Sequence, residues 1–285
     1  MKKNRSGASG FFRKFIHHKM ALVGLVILVL EVIAVLVLPP LLKLDPYTID
    51  PRAFSSPPTP AHVMGTDEVG RDMLARIVYG GRISLFVGIS SAVLSVLIGL
   101  PLGLIAGYYR GILGAVIMRA ADIFMSFPTM VLMLVLVAIY KPSVPTIIVT
   151  IGVLGWTQSA KLIYGNVLSV RNKEYVEAAK ASGTSNLMIL LRYILPNSIA
   201  PLWMAIAFRT SSAIITESSL SFLGAGVQPP AASWGNIIFA AQSLPVLTSK
   251  PWIWLPTGIL LLVTVICVNL VGEGLRDALD PKMKR

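Results

Sequence analysis

Three ionisable side chains interrupt long apolar runs in this 285-residue chain: Glu31, Arg209 and Glu217. A charge inside hydrocarbon is costly, so each is first a functional candidate: a pathway wall, a gate or an ion pair. Arg209 and Glu217 are eight residues apart, about 12 Å along a helix, and read as sharing a face without pairing directly. Arg209 is then free to meet Glu31 or a group on another subunit. Glu31 suits a structural pair. Glu217, near the end of its run, suits gating or docking. Other chemistry is sparse. No Gly-x4-Gly-Lys-Ser/Thr phosphate loop, His-Glu-x-x-His or Gly-x-Ser-x-Gly occurs. His17, His18 and His62 lack metal spacing and read as surface residues. Cys267, the single cysteine, reads as a small packing residue.

A second constellation lies in a polar stretch, EYVEAAKASGTSNLMILLRYILPN, residues 174–197. Ala178, Ala179 and Ala181 favour helix. Gly183 supplies the positive φ that ends one helix, and Thr184 or Ser185 caps the next. Leu187, Met188, Leu190 and Leu191 recur at helical spacing. Pro196 closes the segment. The expected unit is helix, tight turn, helix, with small residues that let another surface approach closely.

The elements that hold these residues follow from composition. Hydrophobic residues make up 55% of the chain and charged ones 13%. That excludes an ordinary soluble domain and a disordered chain. Six apolar runs are long enough to span a bilayer, at roughly 20–42, 83–107, 121–140, 144–164, 199–222 and 254–271. Pro39-Pro40 and Leu41-Leu42 follow the first run where a signal peptide would need small residues, so it reads as a retained helix. The formal charge is +12, but the basic residues lie between apolar runs and in the tails, so nucleic acid is not the expected partner. Seventeen Lys and Arg fall on the side of the termini, the 108–120 loop and the 165–198 loop, with Lys161 at the edge of that loop included; seven fall on the other. Both termini and the 174–197 unit are therefore expected in the cytoplasm. Residues 1–19 form a basic tail, in which Phe11, Phe12, Phe15 and Ile16 suggest an interfacial helix. The outer run Asp67, Glu68, Arg71, Asp72 and Arg76 reads as a salt-bridged elbow.

Residues 174–197 resemble the EAA loop of bacterial ABC importer permeases. Glu177, Ala178, Ala179, Gly183, Leu195 and Pro196 fall in register, with Tyr193 where the pattern has Ile. Other segments resemble the branch that carries dipeptides, oligopeptides and nickel, particularly its C-type permease. These are Gly65-Thr66-Asp67, Gly70-Arg71-Asp72, Gly81-Arg82-Ile83-Ser84-Leu85, Ala106-Gly107-Tyr108 and Met118-Arg119 with Asp122. Further on come Leu220-Ser221-Phe222-Leu223-Gly224, Pro229-Pro230, Ser233-Trp234-Gly235, Leu275-Arg276-Asp277 and Leu279-Asp280-Pro281. Ser218 and Glu273 depart from the usual Ala and Asp.

The resemblance implies an all-α polytopic membrane protein of six helices, with the type I importer (MetI-like) permease fold. It implies that the 174–197 loop docks on an ATPase subunit. It implies a second homologous permease, two cytoplasmic ATPase subunits that carry ATP and Mg, and an extracytoplasmic solute-binding protein delivering a peptide-like solute. The chain itself would bind no cofactor and catalyse no reaction. Two other classes remain as alternatives: a stand-alone secondary transporter driven by an ion gradient, and a membrane-embedded enzyme. The first requires a carboxylate at mid-bilayer, for which only Glu31 is central enough; the second requires a clustered nucleophile, base or metal set, and none is evident.

Overall fold

The computed structural model describes residues 14–109, 111–198 and 200–279. The elements are helical: α1 (Lys19–Leu42), α2 (Met73–Tyr109), α3 (Gly111–Ser126), α4 (Thr129–Tyr140), α5 (Val144–Val170), α6 (Glu174–Ala181), α7 (Asn186–Ile189), α8 (Leu195–Ser198), α9 (Ala200–Phe222), α10 (Trp234–Phe239), α11 (Leu244–Ser249) and α12 (Pro251–Leu279). Among the described residues, extended pairing is confined to the bridges Ile49–Arg71 and Thr66–Asp72. α1, α2, α5 and α12 are each long and apolar enough to cross a bilayer. Two bent pairs, α3 with α4 and the 186–198 segment with α9, give up to six candidate spans if each pair counts as one.

Several bounds differ from the sequence expectation. α2 begins at Met73 rather than near 83, and its 37 residues extend about 55 Å. Arg76 and Arg82 disguise this start, because both look like loop charges. Both find partners inside the fold: Arg76 Nε lies 3.3 Å from Asp67, though its Nη1 is buried without a partner among the described residues, and Arg82 donates to main-chain carbonyls. The third span is not one helix over 121–140. α3 and α4 meet at 86° around Phe127-Pro128, since a proline disfavours helix at the residue before it and lacks an N–H itself. α5 continues to Val170, and α12 runs from Pro251 to Leu279, well beyond 254–271. In the tail, Phe11 and Phe12 lie outside the described residues. Phe15 is buried against Ala21 and Ala278, so it packs on the bundle instead of lying on a surface. Arg110, Ile199 and the 280–285 segment also lie outside the described residues.

α1 passes through Pro39 and Pro40. Neither can donate the helical hydrogen bond, which orphans the carbonyls of Val35 and Leu36 four residues earlier. Arg82 repairs both: Nε donates to Val35 O, and Nη2 donates to Leu36 O at 3.1 Å. The arginine of the Gly81-Arg82 pair thus fastens α1 to α2. Arg82→Met leaves two carbonyls without partners, each costing about 1–3 kcal/mol where water is excluded. The expected outcome is a melting temperature lowered by several degrees in detergent; Arg82→Lys, lacking the fork, recovers only part.

α2 and α5 form the centre of the bundle. Gly99, Gly103 and Gly107 recur every four residues on α2 and lie on α5. A Cβ at Gly103 would stand 2.5 Å from Ala160 O and 2.9 Å from Ile163 Cβ. At Gly99 it would meet Trp156 O at 2.7 Å. Such a small-residue seam lets two backbones touch where apolar lipid offers no hydrophobic drive for helix pairing.

Candidate functional site

The 174–197 unit folds as a helical hairpin. Lys180 lies in the last turn of α6. Gly183 has φ +76°, and the turn closes with Gly183 N–H donating to Lys180 O (3.0 Å) and Thr184 N–H to Ala179 O (3.1 Å). This pair of bonds is a Schellman closure, which needs the left-handed residue that glycine supplies. The expected second helix is present, but Pro196 does not end it. A π-helical turn over Leu190–Ile194 leads into α8, which contains Pro196. Pro196 cannot donate to the carbonyl four residues earlier, and the wider turn accommodates that loss.

One face of the hairpin is anchored. Val176, Ala179, Ile189, Leu190 and Ile194 are buried with Tyr108, Ile163, Val167 and Leu202. Tyr108 Oη donates to Asn186 Oδ1 at 2.6 Å, and Arg171 Nη1 donates to the carbonyls of Gly107 and Tyr108 at 3.0 and 3.1 Å. The opposite face is open: Glu177, Ala178, Gly183 and Pro196 are exposed, while Leu195 is half-buried. Tyr175, Leu187, Met188 and Leu191 add apolar surface, Leu187 at 62% exposure. No ion pair forms to Glu177 among the described residues. The hairpin is thus anchored on one face and carries an uncovered apolar patch and an exposed carboxylate on the other.

Midway along the long helices lies a cleft of about 280 Å3 between α2, the α3–α4 bend, α5 and α9. Arg209 projects from the middle of α9. It donates to Gln158 Oε1 (2.7 Å), Gly155 O (2.7 Å) and Ser95 Oγ (3.3 Å). Ser91, Thr129, Thr157, Ser212 and Thr216 supply further polar lining. Arg209 does not meet Glu31. That carboxylate accepts from Thr264 Oγ1 at 2.9 Å, where α1 packs on α12, and does not line the cleft. Nor do Arg209 and Glu217 share a face: eight residues rotate a helix by about 80°, and their partners lie on different helices.

Glu217 is fully buried among hydroxyls. Ser84 Oγ donates to Oε2 at 3.0 Å and Ser221 Oγ to Oε1 at 2.8 Å. The Ser84 oxygen accepts the Trp234 N–H at 3.1 Å, and the Ser221 oxygen accepts the Val227 N–H at 3.3 Å. Glu217 thereby ties α2, α9 and α10 together.

At the end of the bundle away from the hairpin, the charged elbow forms as expected. Asp67 accepts from Arg71 Nε at 2.7 Å and from the N–H groups of Val69 and Arg71. Asp72 Oδ1 accepts the Ala75 N–H (2.9 Å) at the start of α2. Two histidines read as surface residues are structural. His18 Nδ1 caps α1 by accepting the Ala21 N–H at 3.1 Å. His62 lies between Asp72 (2.9 Å) and Asp50 (3.6 Å), and the hydrogen bond to Asp72 raises its pKa despite partial burial. A raised histidine pKa stabilises the fold fully below the unfolded value near 6.5 and loses that contribution as pH rises through the folded value. Amide exchange across 49–72 is therefore expected to accelerate between pH 6 and pH 9. His62→Gln should flatten that dependence, after correction for intrinsic exchange.

The described residues thus form apolar helices long enough to cross a bilayer around a polar cleft, with an open hairpin at one end. The comparisons agree. Residues 99–285 match the family model "Binding-protein-dependent transport system inner membrane component", and residues 8–58 match "N-terminal TM domain of oligopeptide transport permease C". A putative peptide permease protein of Brucella suis biovar 1 (strain 1330) is 41% identical over 269 residues, covering 94% of this chain and 89% of that one. The oligopeptide transport system permease protein OppC of Bacillus subtilis (strain 168) is 37% identical over 273 residues, covering 95% and 88%. Two inward-facing crystal forms of the MetNI methionine ABC transporter match with TM-score 0.59, at 18% and 19% identity, covering 72% of this chain and 97% of theirs. The chain belongs to the family of inner membrane components of binding-protein-dependent transport systems, the permeases of ABC importers. The comparisons lend no support to the secondary-transporter alternative.

Proposed function

We propose that this chain forms half of a peptide import pathway and is driven by ATPase subunits bound to its 174–197 hairpin. The open hairpin face carries this reading. The chain lacks a phosphate loop of its own, so ATP and Mg belong to two separate ATPase subunits. A second homologous permease supplies the other half of the pathway. A solute-binding protein delivers the peptide at the opposite end, where a cavity of about 480 Å3 is lined by Glu68, Gln228, Asn236 and Gln242. The peptide assignment is supported by the names of the Brucella and Bacillus relatives. The Lys and Arg distribution supports cytoplasmic termini and a cytoplasmic hairpin.

The mechanism follows from rigidity. Glu177, Ala178 and the exposed Leu187, Met188 and Leu191 meet the ATPase. Val176, Ala179, Ile189 and Ile194 bind the hairpin to the ends of α2 and α5, and the glycine seam holds those two helices as one body. When the ATPases close on ATP, the hairpin moves as a lever and the α2–α5 body tilts with it, re-aiming the cleft. This is a hinge-type two-state change. Glu217 positions α10 against α2 through that motion, and Arg209 forms part of the cleft wall.

Gentle purification of the tagged chain from its native membranes tests the assembly. The expected co-purifying proteins are one related permease and ATPase subunits, identified by mass. Recovery of this chain alone, under conditions that preserve other membrane complexes, would contradict it.

A further inference from the structure

We infer that the mid-bundle cleft is an anion-selecting station, at which Arg209 receives a carboxylate of the passing solute; this rests on the pathway reading above. Among the described residues, Arg209 is the only charged one lining the cleft. Its described partners are a side-chain amide, a hydroxyl and a carbonyl, all neutral. Asp122 does not line the cleft and is paired with Lys161 at 2.7 Å. Glu31 and Glu217 are bonded elsewhere.

The partners also fix the guanidinium. Gly155 O and Ser95 Oγ hold Nη2, and Gln158 holds Nη1, so the positive charge is anchored to the wall of α5 and α2. The Nε–H has no partner among the described residues. Ser212 and Thr216 extend the same wall one and two turns along α9. α4 adds to the field: it begins at Thr129 in the cleft lining, with no side chain capping its first turn. An unopposed cation in a narrow low-dielectric cleft favours anions and disfavours cations. Of the solutes this family's peptide and nickel branch carries, those with a free carboxylate suit the cleft, and net cationic ones do not.

The charge can be read without knowing the solute. Ser212→Cys, in a Cys267→Ser background, places one thiol in this chain beside Arg209. In the assembled transporter it is modified with anionic sulfonatoethyl methanethiosulfonate or cationic trimethylammonioethyl methanethiosulfonate, and the intact mass of this chain reports each rate. The ratio of anionic to cationic rates is expected to fall at least tenfold in Arg209→Gln and to stay within about threefold in Arg209→Lys. An unchanged ratio in Arg209→Gln, with both reagents reacting, overturns the anion station but leaves the pathway reading standing. Failure of both reagents to react, with or without ATP, overturns the water-filled pathway itself.

Discussion

Glu177→Arg is expected to abolish ATP-driven peptide uptake, by at least a hundredfold, while the protein stays in the membrane at its normal level. Glu177 is exposed and has no ion-pair partner among the described residues, so reversing its charge costs the isolated fold almost nothing. The loss would fall on the docked ATPase, where a like charge or an unpaired arginine is buried at the contact. Gly183→Pro is expected to match it for a different reason. Gly183 has φ +76°, and proline is locked near −65° and lacks the N–H that Lys180 O accepts, so the Schellman closure, with its second bond from Thr184 N–H to Ala179 O, cannot form. Gly183→Asn separates geometry from side-chain identity, because asparagine tolerates the left-handed conformation; it is expected to retain most uptake. Uptake in proteoliposomes, normalised to this chain, makes the measurement. Normal uptake in both Glu177→Arg and Gly183→Pro would remove the coupling role.

Gly103→Val is expected to have the largest effect on stability. Its Cβ would stand 2.5 Å from a backbone oxygen, Ala160 O, and 2.9 Å from a branched side chain, Ile163. Backbone cannot rotate away, so α2 and α5 must separate. Overpacking of this kind costs about 1–3 kcal/mol even where side chains can yield. The seam also aligns the two helices under the hairpin, so the change should lower both melting temperature and ATP coupling. Gly165→Ala is the contrast: nothing lies within 4 Å of its Cβ position, and removing a helix-interior glycine should leave stability unchanged or slightly raised. Thermal unfolding in detergent, followed by tryptophan fluorescence, reads both.

The hairpin was legible because its signals are local. Alanines, a glycine and a periodic leucine run specify helix, turn and helix without any distant contact. The long spans were legible by composition, but their ends were not. Arg76 and Arg82 looked like loop residues, and only the folded chain brings them to Asp67 and to the two carbonyls orphaned by Pro39 and Pro40. Those partners lie up to 47 residues away in sequence, beyond any window that reads periodicity. Pro128 did announce the break between α3 and α4, and apolar continuity masked it. Arg209 stood out by charge, while its neighbours in the cleft did not. Ser212 and Thr216 follow it at three and seven residues, a polar stripe at helical period that could have marked the wall. Gln158 and Gly155 lie on another helix, and nothing local pairs them with Arg209. His62 gave no signal because Asp50 and Asp72 reach it only through the folded elbow.

Contact between the hairpin and an ATPase subunit is the centre of this account, and site-specific photocross-linking tests it most directly. A benzophenone side chain is placed at Leu187, 62% exposed on the hairpin, or at Leu97, 64% exposed on α2. The transport-active complex is then irradiated, and adducts are identified by mass. An ATPase adduct is expected from position 187 and none from position 97. An active complex that yields no ATPase adduct from position 187 would contradict it.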